Sequence, residues 1–498
     1  VTLTRAAIAL DCGTHAIRVI AYPEGGGAPV DLGSEEIRAY YPEPGFVELD
    51  ADAVASTAGR LLRNAMTRLT NEGMVPVCLG ITNMRETAVA WRRDTGKTIH
   101  GAIHWMSTQS QPQVDRWSAD GTAERIRTTT GTSNHTFFFG SKIRWLMDNV
   151  EKARDLAAKN LLQVGTLESW LLFKLSGEAV HATDVSNASR YQMMDLGKLA
   201  WSPELVDAVG IPMSSLPEIR PTHGVFAMTN PEVVGLSIPI SGLIADQQAS
   251  LFGHGAWAPG AVKATFGTSG VVCLNLGSTH RLEEGLVTSV AWSSDDGKSA
   301  LYEIEASAFH SGSTINWLSS RLTNVNPWTQ SMTRATAPAQ LRPYVIPAFS
   351  QLGAPRWPSR SGGAVLGLQL DTTSEDIIRA GFETMAFQTF DTLRFLASSP
   401  DIISVDGGGA VSNYLCQTLA NLTGAIVSRP TSPEMTALGT AQMAVKGINE
   451  DIELWQRADR ADDFRFLPED DDGYSLEGYT EWSNLVHRVL ADNPGATR

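Results

Sequence analysis

Ile8-Ala9-Leu10-Asp11-Cys12-Gly13-Thr14-His15-Ala16-Ile17-Arg18-Val19-Ile20 and Val262-Lys263-Ala264-Thr265-Phe266-Gly267-Thr268-Ser269-Gly270-Val271-Val272-Cys273-Leu274 are two versions of one pattern, placed in the two halves of one chain. Each reads as an apolar strand, a Gly-Thr turn and a returning apolar strand. Glycine lets backbone N–H groups come close to an anion, and the threonine hydroxyl adds a donor. Two such turns facing one another would hold a nucleotide's phosphates between two lobes. The repeat therefore predicts an α/β chain of two lobes built alike around an interdomain cleft, and a nucleotide-dependent phosphotransferase as its function class.

Composition agrees with that reading. The chain has 498 residues, too many for one ordinary core. With 43% hydrophobic and 19% charged residues it packs as a globular protein. A net charge of -15 argues against a nucleic-acid partner, which needs a basic surface. An anionic nucleotide is still allowed, because backbone dipoles and a metal can hold its phosphates. The four cysteines, Cys12, Cys78, Cys273 and Cys416, form no CxxC pair and no zinc-ligand spacing, so a reducing, cytoplasmic compartment is expected. No basic-then-apolar leader and no membrane-length apolar run is visible.

Working outward from the first hairpin, Tyr40-Tyr41-Pro42-Glu43-Pro44-Gly45 is a punctuated loop. Asp50 precedes a helix marked by Val54, Ala58, Leu61, Leu62, Ala65 and Leu69 and stopped at Gly73. Val75 to Ile81 reads as a buried strand. Thr87–Trp91 and Thr98–Trp105 flank Asp94-Thr95-Gly96 and suggest a hairpin. Ile238 to Ala245 reads as a strand ending at Asp246, followed by a helix. Ala256-Trp257-Ala258-Pro259-Gly260 is the expected junction, which gives lobes of 1–253 and 254–498. Thr372 and Glu375 are spaced as a capping box. Ile402–Val405 is a strand that runs into Asp406-Gly407-Gly408-Gly409, with a helix from about Ser412.

Four places carry possible chemistry. Asp11 at the first turn could reach a magnesium ion, directly or through water, and Arg18 a terminal phosphate; a plain turn aspartate is the alternative. Arg85-Glu86 is either a structural ion pair or a clamp for a polyhydroxy ligand, since Arg donates to hydroxyl oxygens and Glu accepts from hydroxyls. Asp246-Gln247, at a strand's carboxyl end, suits a general base beside a substrate-orienting amide, or else a helix cap. The glycines at 407–409, with Asn413, would let a base or ribose lie on the backbone. The ten histidines show no zinc motif.

These residues, in order, resemble the FGGY carbohydrate kinases, most closely their glycerol kinase branch. The resemblance rests on Leu10-Asp11-Cys12-Gly13-Thr14, Tyr41-Pro42-Glu43-Pro44-Gly45-Phe46-Val47-Glu48, Asn83-Met84-Arg85-Glu86-Thr87 and Gly165-Thr166-Leu167-Glu168-Ser169-Trp170-Leu171. It continues through Thr183-Asp184-Val185-Ser186-Asn187-Ala188-Ser189-Arg190, Gly242-Leu243-Ile244-Ala245-Asp246-Gln247-Gln248-Ala249, Phe266-Gly267-Thr268, Leu352-Gly353-Ala354-Pro355, Val405-Asp406-Gly407-Gly408 and Thr436-Ala437-Leu438-Gly439-Thr440. It covers nearly the whole chain.

The resemblance implies an actin/hexokinase-like fold (a duplicated ribonuclease H-like unit), with ATP and Mg²⁺ in the cleft and a small polyol or sugar as substrate. It implies Asp11 as the metal-associated aspartate, Thr14, Arg18 and Thr268 as phosphate contacts, and Gly312, Gly409 and Asn413 as nucleotide contacts. Arg85, Glu86, Asp246 and Gln247 correspond to the substrate set, with Asp246 as the base and Trp105 as an aromatic wall. A homodimer or homotetramer is implied as well. A chaperone-like or filament-forming ATPase, or a sugar sensor without turnover, are the readings from other classes.

The chain departs from the branch at several of these positions. Phe137 stands where a tyrosine binds substrate, and Val271 where a phenylalanine lines the pocket. His15 and Ala16 replace small hydroxyl residues of the first turn, and Asn316 replaces a glutamine on the nucleotide side. Losing a phenol and shrinking a wall predict a larger or differently substituted polyol. Pro231-Glu232-Val233-Val234-Gly235-Leu236 lacks the cation that family members inhibited by fructose 1,6-bisphosphate carry there, which predicts insensitivity to that effector.

Overall fold

The computed structural model describes residues 3–323, 326–329, 331–349, 352–356, 362–457 and 461–491. Its frame is two sheets of matching plan. The first is six-stranded and uses β1 (Thr4–Cys12), β2 (Ala16–Pro23), β3 (Val30–Glu36), β4 (Met74–Asn83), β5 (His223–Met228) and β6 (Pro239–Leu243), in the order β5-β6-β4-β1-β2-β3. The second is seven-stranded and uses β7 (Val262–Phe266), β8 (Gly270–Gly277), β9 (Val287–Ser293), β10 (Ala300–Ala308), β11 (Ile402–Asp406), β12 (Ile426–Arg429) and β13 (Phe464–Phe466), in the order β9-β10-β8-β7-β11-β12-β13.

In both sheets an antiparallel run, of three strands in the first and four in the second, continues into parallel neighbours and ends on an antiparallel edge. Strands β1 and β7, the first arms of the two Gly-Thr hairpins, hold equivalent central places. Each has one antiparallel and one parallel neighbour and is a largely buried run, as a central strand with both faces covered must be.

The helices that matter are α1 (Ala51–Asn71), α2 (Leu167–Leu175), α3 (Asp246–Gly253), α4 (Gly312–Leu322), α5 (Ser374–Phe395), α6 (Asn413–Thr423), α7 (Met435–Gly447) and α8 (Tyr474–Ala491). Asp50 caps α1 by accepting from the Ala53 N–H at 2.9 Å, and Ser412 caps α6. Helices α1 and α2 cover the outer face of the first sheet, and α5, α6 and α8 pack in the core of the second lobe. The inner faces are covered crosswise. Helix α3, which follows β6, packs with Val271, Cys273 and Trp292 of the second sheet; α7 packs on Ala7, Ala9 and Cys78 of the first. The two helices cross at Gly439, where a Cβ would sit on the carbonyl oxygen of Ala249. Only glycine allows so close a backbone approach.

One local expectation holds with an addition and one needs correction. The hairpin across Asp94-Thr95-Gly96 forms: Arg92 N–H donates to the Lys97 carbonyl at 2.9 Å, Ile99 N–H to Ala90 at 3.0 Å, and Ala88 and Ile103 exchange bonds of 2.9 and 2.8 Å. Val89–Arg92 pairs in addition with Leu162–Gly165, where buried Trp91 packs against Trp170 and Phe173 of α2. The capping box is one residue later, at Thr373 and Asp376. Asp376 reaches back to the Thr373 N–H at 2.9 Å, while Thr372 accepts from Gln369. No helix among the described residues is long and apolar enough to cross a membrane.

Candidate active site in the interlobe cleft

Strand ends of both sheets meet at the cleft, where α/β sheets bind ligands. From the first lobe, β1 delivers Asp11, the turn after β4 delivers Arg85 and Glu86, and β6 leads into Asp246 and Gln247 at the start of α3. From the second lobe, strand register lines up two rows on one face. Asp406, Thr265, Val271 and Ser307 form one row; Lys263, Cys273 and Glu305 form the next.

The charged groups join across the lobes. Arg85 Nε lies 3.0 Å from Asp246 Oδ1, and its Nη1 and Nη2 donate to Glu305 at 2.5 and 3.2 Å. Glu86 does not pair with Arg85. It accepts from Arg190 Nε at 2.5 Å, and Arg190 also reaches Glu305 at 3.4 Å. Glu86 is held at a φ of 60°, a left-handed conformation uncommon for a non-glycine residue, which turns its side chain toward Arg190. Burial would raise the Glu305 carboxyl, but Arg85 and Arg190 outweigh it and hold it down at about 2. Burial raises Asp246 above the ordinary carboxylate range, with Arg85 opposing; its side chain remains 27% exposed.

Gln247 is anchored from the second lobe. Lys263 Nζ donates to its Oε1 at 2.6 Å and to Thr265 Oγ1 at 2.9 Å, and Thr265 donates to Asp406 at 2.5 Å. Asp406 also accepts from Ser250 at 2.5 Å and lies 3.2 Å from His254 Nε2. Despite burial, Lys263 and His254 hold the Asp406 carboxyl well below its usual range.

An aromatic wall closes one side. Trp105 stands edge-on to Phe137 at 5.6 Å, and its Nε1 donates to Thr14 Oγ1 at 3.2 Å. Phe137 is fixed from behind by Lys142, which donates to the carbonyls of Phe137 and Phe138, and by Arg190 over both rings. Val271 is buried among Ile244 and Ala249.

The phosphate turns are preserved as turns. Gly13 donates to the Ala16 carbonyl at 3.0 Å, and the His15 carbonyl accepts from Ile37. Gly267 donates to Ser269, and the first turn of α4 is tied to the same loop, Gly312 to Gly267 at 2.9 Å and Ser311 to Thr268 at 3.1 Å. Among the described residues no acceptor takes the backbone N–H of Thr14 or Thr268. Gly407, at a φ of 82°, and Gly409 press against Phe266 on the other flank of that loop. Asn316 accepts from Trp328, and Asn413 from Arg429, each at 3.0 Å.

Arg18 is drawn to Glu434, the residue before α7, at 2.9 and 3.0 Å. Asp11 stands opposite Arg18 in the ladder, and no donor among the described residues bonds its carboxylate. Burial pushes Asp11 up to about 7 despite Arg18. A half-enclosed carboxylate without a donor suits a cation, and the open N–H groups of the two turns suit an anion.

Sequence reasoning gave no role to Arg190, Glu305, Lys263 or Thr265. One signal was present: Lys263-x-Thr265 and Glu303-x-Glu305 place polar groups at period two inside otherwise buried strands.

Comparison with known proteins agrees with this geometry. Models of the FGGY family of carbohydrate kinases match residues 6–253 for the N-terminal domain and 262–448 for the C-terminal domain. Glycerol kinase of Carboxydothermus hydrogenoformans is 36% identical over 494 residues, covering 97% of each chain. That of Thermus thermophilus is 36% identical over 496 residues, covering 97% of this chain and 99% of its own. The crystal structure of Plasmodium falciparum glycerol kinase with ADP superposes with a TM-score of 0.87 at 27% identity, covering 98% of each chain. Xylulose kinase from Lactobacillus acidophilus shares the fold at a TM-score of 0.82 and 18% identity, covering 99% of this chain and 98% of that one. The chain belongs to the FGGY family of carbohydrate kinases.

Proposed function

We propose that the chain transfers the γ-phosphoryl group of ATP to a hydroxyl of glycerol or a related larger polyol, with Asp246 as general base. The observation that carries this reading is the Arg85–Asp246 pair at 3.0 Å, set at the start of α3 between the two Gly-Thr turns. Phosphoryl transfer asks the protein for positioning, charge neutralisation and a proton acceptor, with little covalent chemistry. Asp246 is partly exposed to the cleft and ionised above its raised pKa, so it can take the proton of an attacking hydroxyl. Arg85 both steadies that carboxylate and offers donors to substrate oxygens. Glu86, braced by Arg190, and Gln247, braced by Lys263, fix the remaining hydroxyls, and Trp105 and Phe137 pack on the carbon chain.

Thr14, His15, Ala16, Arg18 and Thr268 would line the phosphate path, and Gly312, Asn316, Gly409 and Asn413 the base and ribose. Asp11 would hold Mg²⁺, which supplies charge neutralisation at the transferring phosphate when bound. Closure of the lobes would exclude water and suppress hydrolysis.

The pocket supports a substrate longer than glycerol. Beyond Phe137 a cavity of 20 Å³, bordered by Ser133, His135, Arg190 and Ser307, has room for about one water-sized group. A terminal hydroxyl of a four- or five-carbon polyol would fit there, beside the side chains of Ser133, Arg190 and Ser307. A homo-oligomer and a cytoplasmic location belong to the same reading, the latter supported by four buried free thiols.

The test is a coupled ADP-release assay with MgATP across glycerol, erythritol, threitol, the pentitols and ketoses, with Asp246→Asn in parallel. Turnover of a polyol that is lost in the variant is expected. ATP hydrolysis indifferent to every polyol, or unaltered in the variant, would overturn the reading.

A further inference from the structure

A second cavity, of 420 Å³, opens at the opposite ends of the strands from the cleft. The cleft takes Phe266 and Asp406, the last residues of β7 and β11; this cavity is lined by Val262 and Ile402, the first. Its volume lies in the range of small-molecule sites. We propose that it is a regulatory site for a small phosphorylated polyol or sugar.

Charge selects the anionic end. In a chain of net charge -15, this cavity collects Arg457 and Arg465 against the single carboxylate of Asp463. Asp463 is engaged by Arg457, whereas Arg465, exposed on β13, forms no ion pair among the described residues. The guanidinium fork of arginine matches phosphate oxygens. A buried amide selects the hydroxylated end. Gln442 of α7 is 3% exposed, and its Oε1 is buried with no hydrogen-bond partner. Gln442 lines the cavity wall, so its amide is the polar group of α7 that a ligand hydroxyl meets.

The cavity is placed to act on the kinase site. It is walled by the end of α3, at Gly253 and His254, and by Gln442 of α7, the two helices that cross at Gly439 between the lobes. A ligand gripping both has a different affinity for each lobe angle, and that difference is what coupling requires. A hydrogen-bonded chain runs the same way. His254 is 3.2 Å from Asp406, which accepts from Thr265 at 2.5 Å; Lys263 donates to Thr265 at 2.9 Å and to Gln247 at 2.6 Å.

The site is tested by calorimetric titration of full-length protein with glycerol 3-phosphate, sorbitol 6-phosphate and inorganic phosphate. MgADP and a saturating polyol occupy the cleft throughout. One equivalent of a polyol phosphate is expected to bind. Arg465→Ala and Gln442→Leu are expected to weaken it at least tenfold while leaving basal turnover unchanged. Whichever of the two phosphates binds more tightly distinguishes a product-like ligand from a longer sugar phosphate, and that ligand should shift wild-type kcat/KM but not that of the variants.

No binding with the cleft occupied, binding undiminished in both variants, or equal affinity for inorganic phosphate would overturn the proposal. The assignment of the cleft rests on separate data. Binding here by a protein inert toward every polyol would sink the proposed function and leave this site standing; turnover without binding would do the reverse.

Discussion

Arg85 of the first lobe grips Glu305 of the second through two parallel hydrogen bonds of 2.5 and 3.2 Å, with both side chains fully enclosed. The pair closes the floor of the cleft and carries Asp246 on its remaining edge. Breaking a buried pair by removing one partner leaves an uncompensated charge. Glu305→Ala leaves Arg85 with Asp246 alone and Arg190 with Glu86 alone, and a loss of up to about 3–5 kcal/mol is expected in chemical unfolding.

The same carboxylate sets an acid limit on stability. Glu305 is held at about 2 in the fold, against 4.5 for an ordinary glutamate. Above 4.5 both folded and unfolded forms are ionised, and the contribution is complete. As pH falls from 4.5 toward 2 the unfolded chain takes up a proton that the folded chain refuses, so stability is lost across that window. Glu305→Gln should flatten this part of the pH–stability curve, measured by urea unfolding at stepped pH.

Asp246→Asn should remove the proton acceptor and leave the fold intact, because Arg85 keeps its two bonds to Glu305. General-base assistance contributes about 10²- to 10⁴-fold, and kcat should fall by that much with little change in polyol KM. Burial raises the Asp246 carboxyl and the base works ionised, so wild-type kcat/KM should drop on the acid side at a pH above the ordinary carboxylate range. The variant's residual rate should lack that limb.

What could be read from the chain was local. The two hairpins, the Asp50 and Ser412 caps and the strand leading to Asp246 each depend on residues within a few positions, and their turns are where the patterns put them. The bracing of the site was not legible, because its partners are far apart in sequence. Glu86 meets Arg190 across 104 positions, and Arg85 meets Glu305 across 220. Arg85-Glu86 reads as a possible ion pair along the chain; in space each residue turns to a different partner. The hairpin over Asp94–Gly96 was legible because its turn is local, whereas the pairing of its first arm with the distant Leu162–Gly165 was not.

The crossing of α3 and α7 predicts a conformational defect from a single methyl group. At Gly439 a Cβ would fall on the Ala249 carbonyl, and at Gly253 on that of Met435. Gly439→Ala must push the helices apart, at a cost of about 1–3 kcal/mol typical of overpacking. Because these helices join the lobes, kcat should fall together with the melting temperature, while Gly73→Ala, whose Cβ meets nothing, should not alter kcat.

The short helix at Pro231–Val234 offers no cation of its own, and the nearest arginine is already engaged. Arg63 donates to the carbonyls of Glu232 and Val233. A phosphate ester would have to break those bonds to gain a partner there. Fructose 1,6-bisphosphate at millimolar concentration should therefore leave the rate unchanged; inhibition relieved by Arg63→Ala would show that the arginine can be recruited.

Substrate length should be set at two positions. Phe137 presents a ring edge to Trp105 and no hydroxyl, and Val271 lies in the same cross-strand row as Ser307, which donates to Glu305 at 3.1 Å. Val271→Phe adds bulk next to that row, and Phe137→Tyr adds a donor worth about 0.5–1.5 kcal/mol when it finds an acceptor. Together they should move kcat/KM toward glycerol and away from four- and five-carbon polyols. Ser133→Ala should weaken only the longer substrates, since Ser133 borders the cavity beyond Phe137. A wild-type preference for glycerol over every longer polyol, with no response to these changes, would mean that the cavity holds an ordered water and not a substrate hydroxyl.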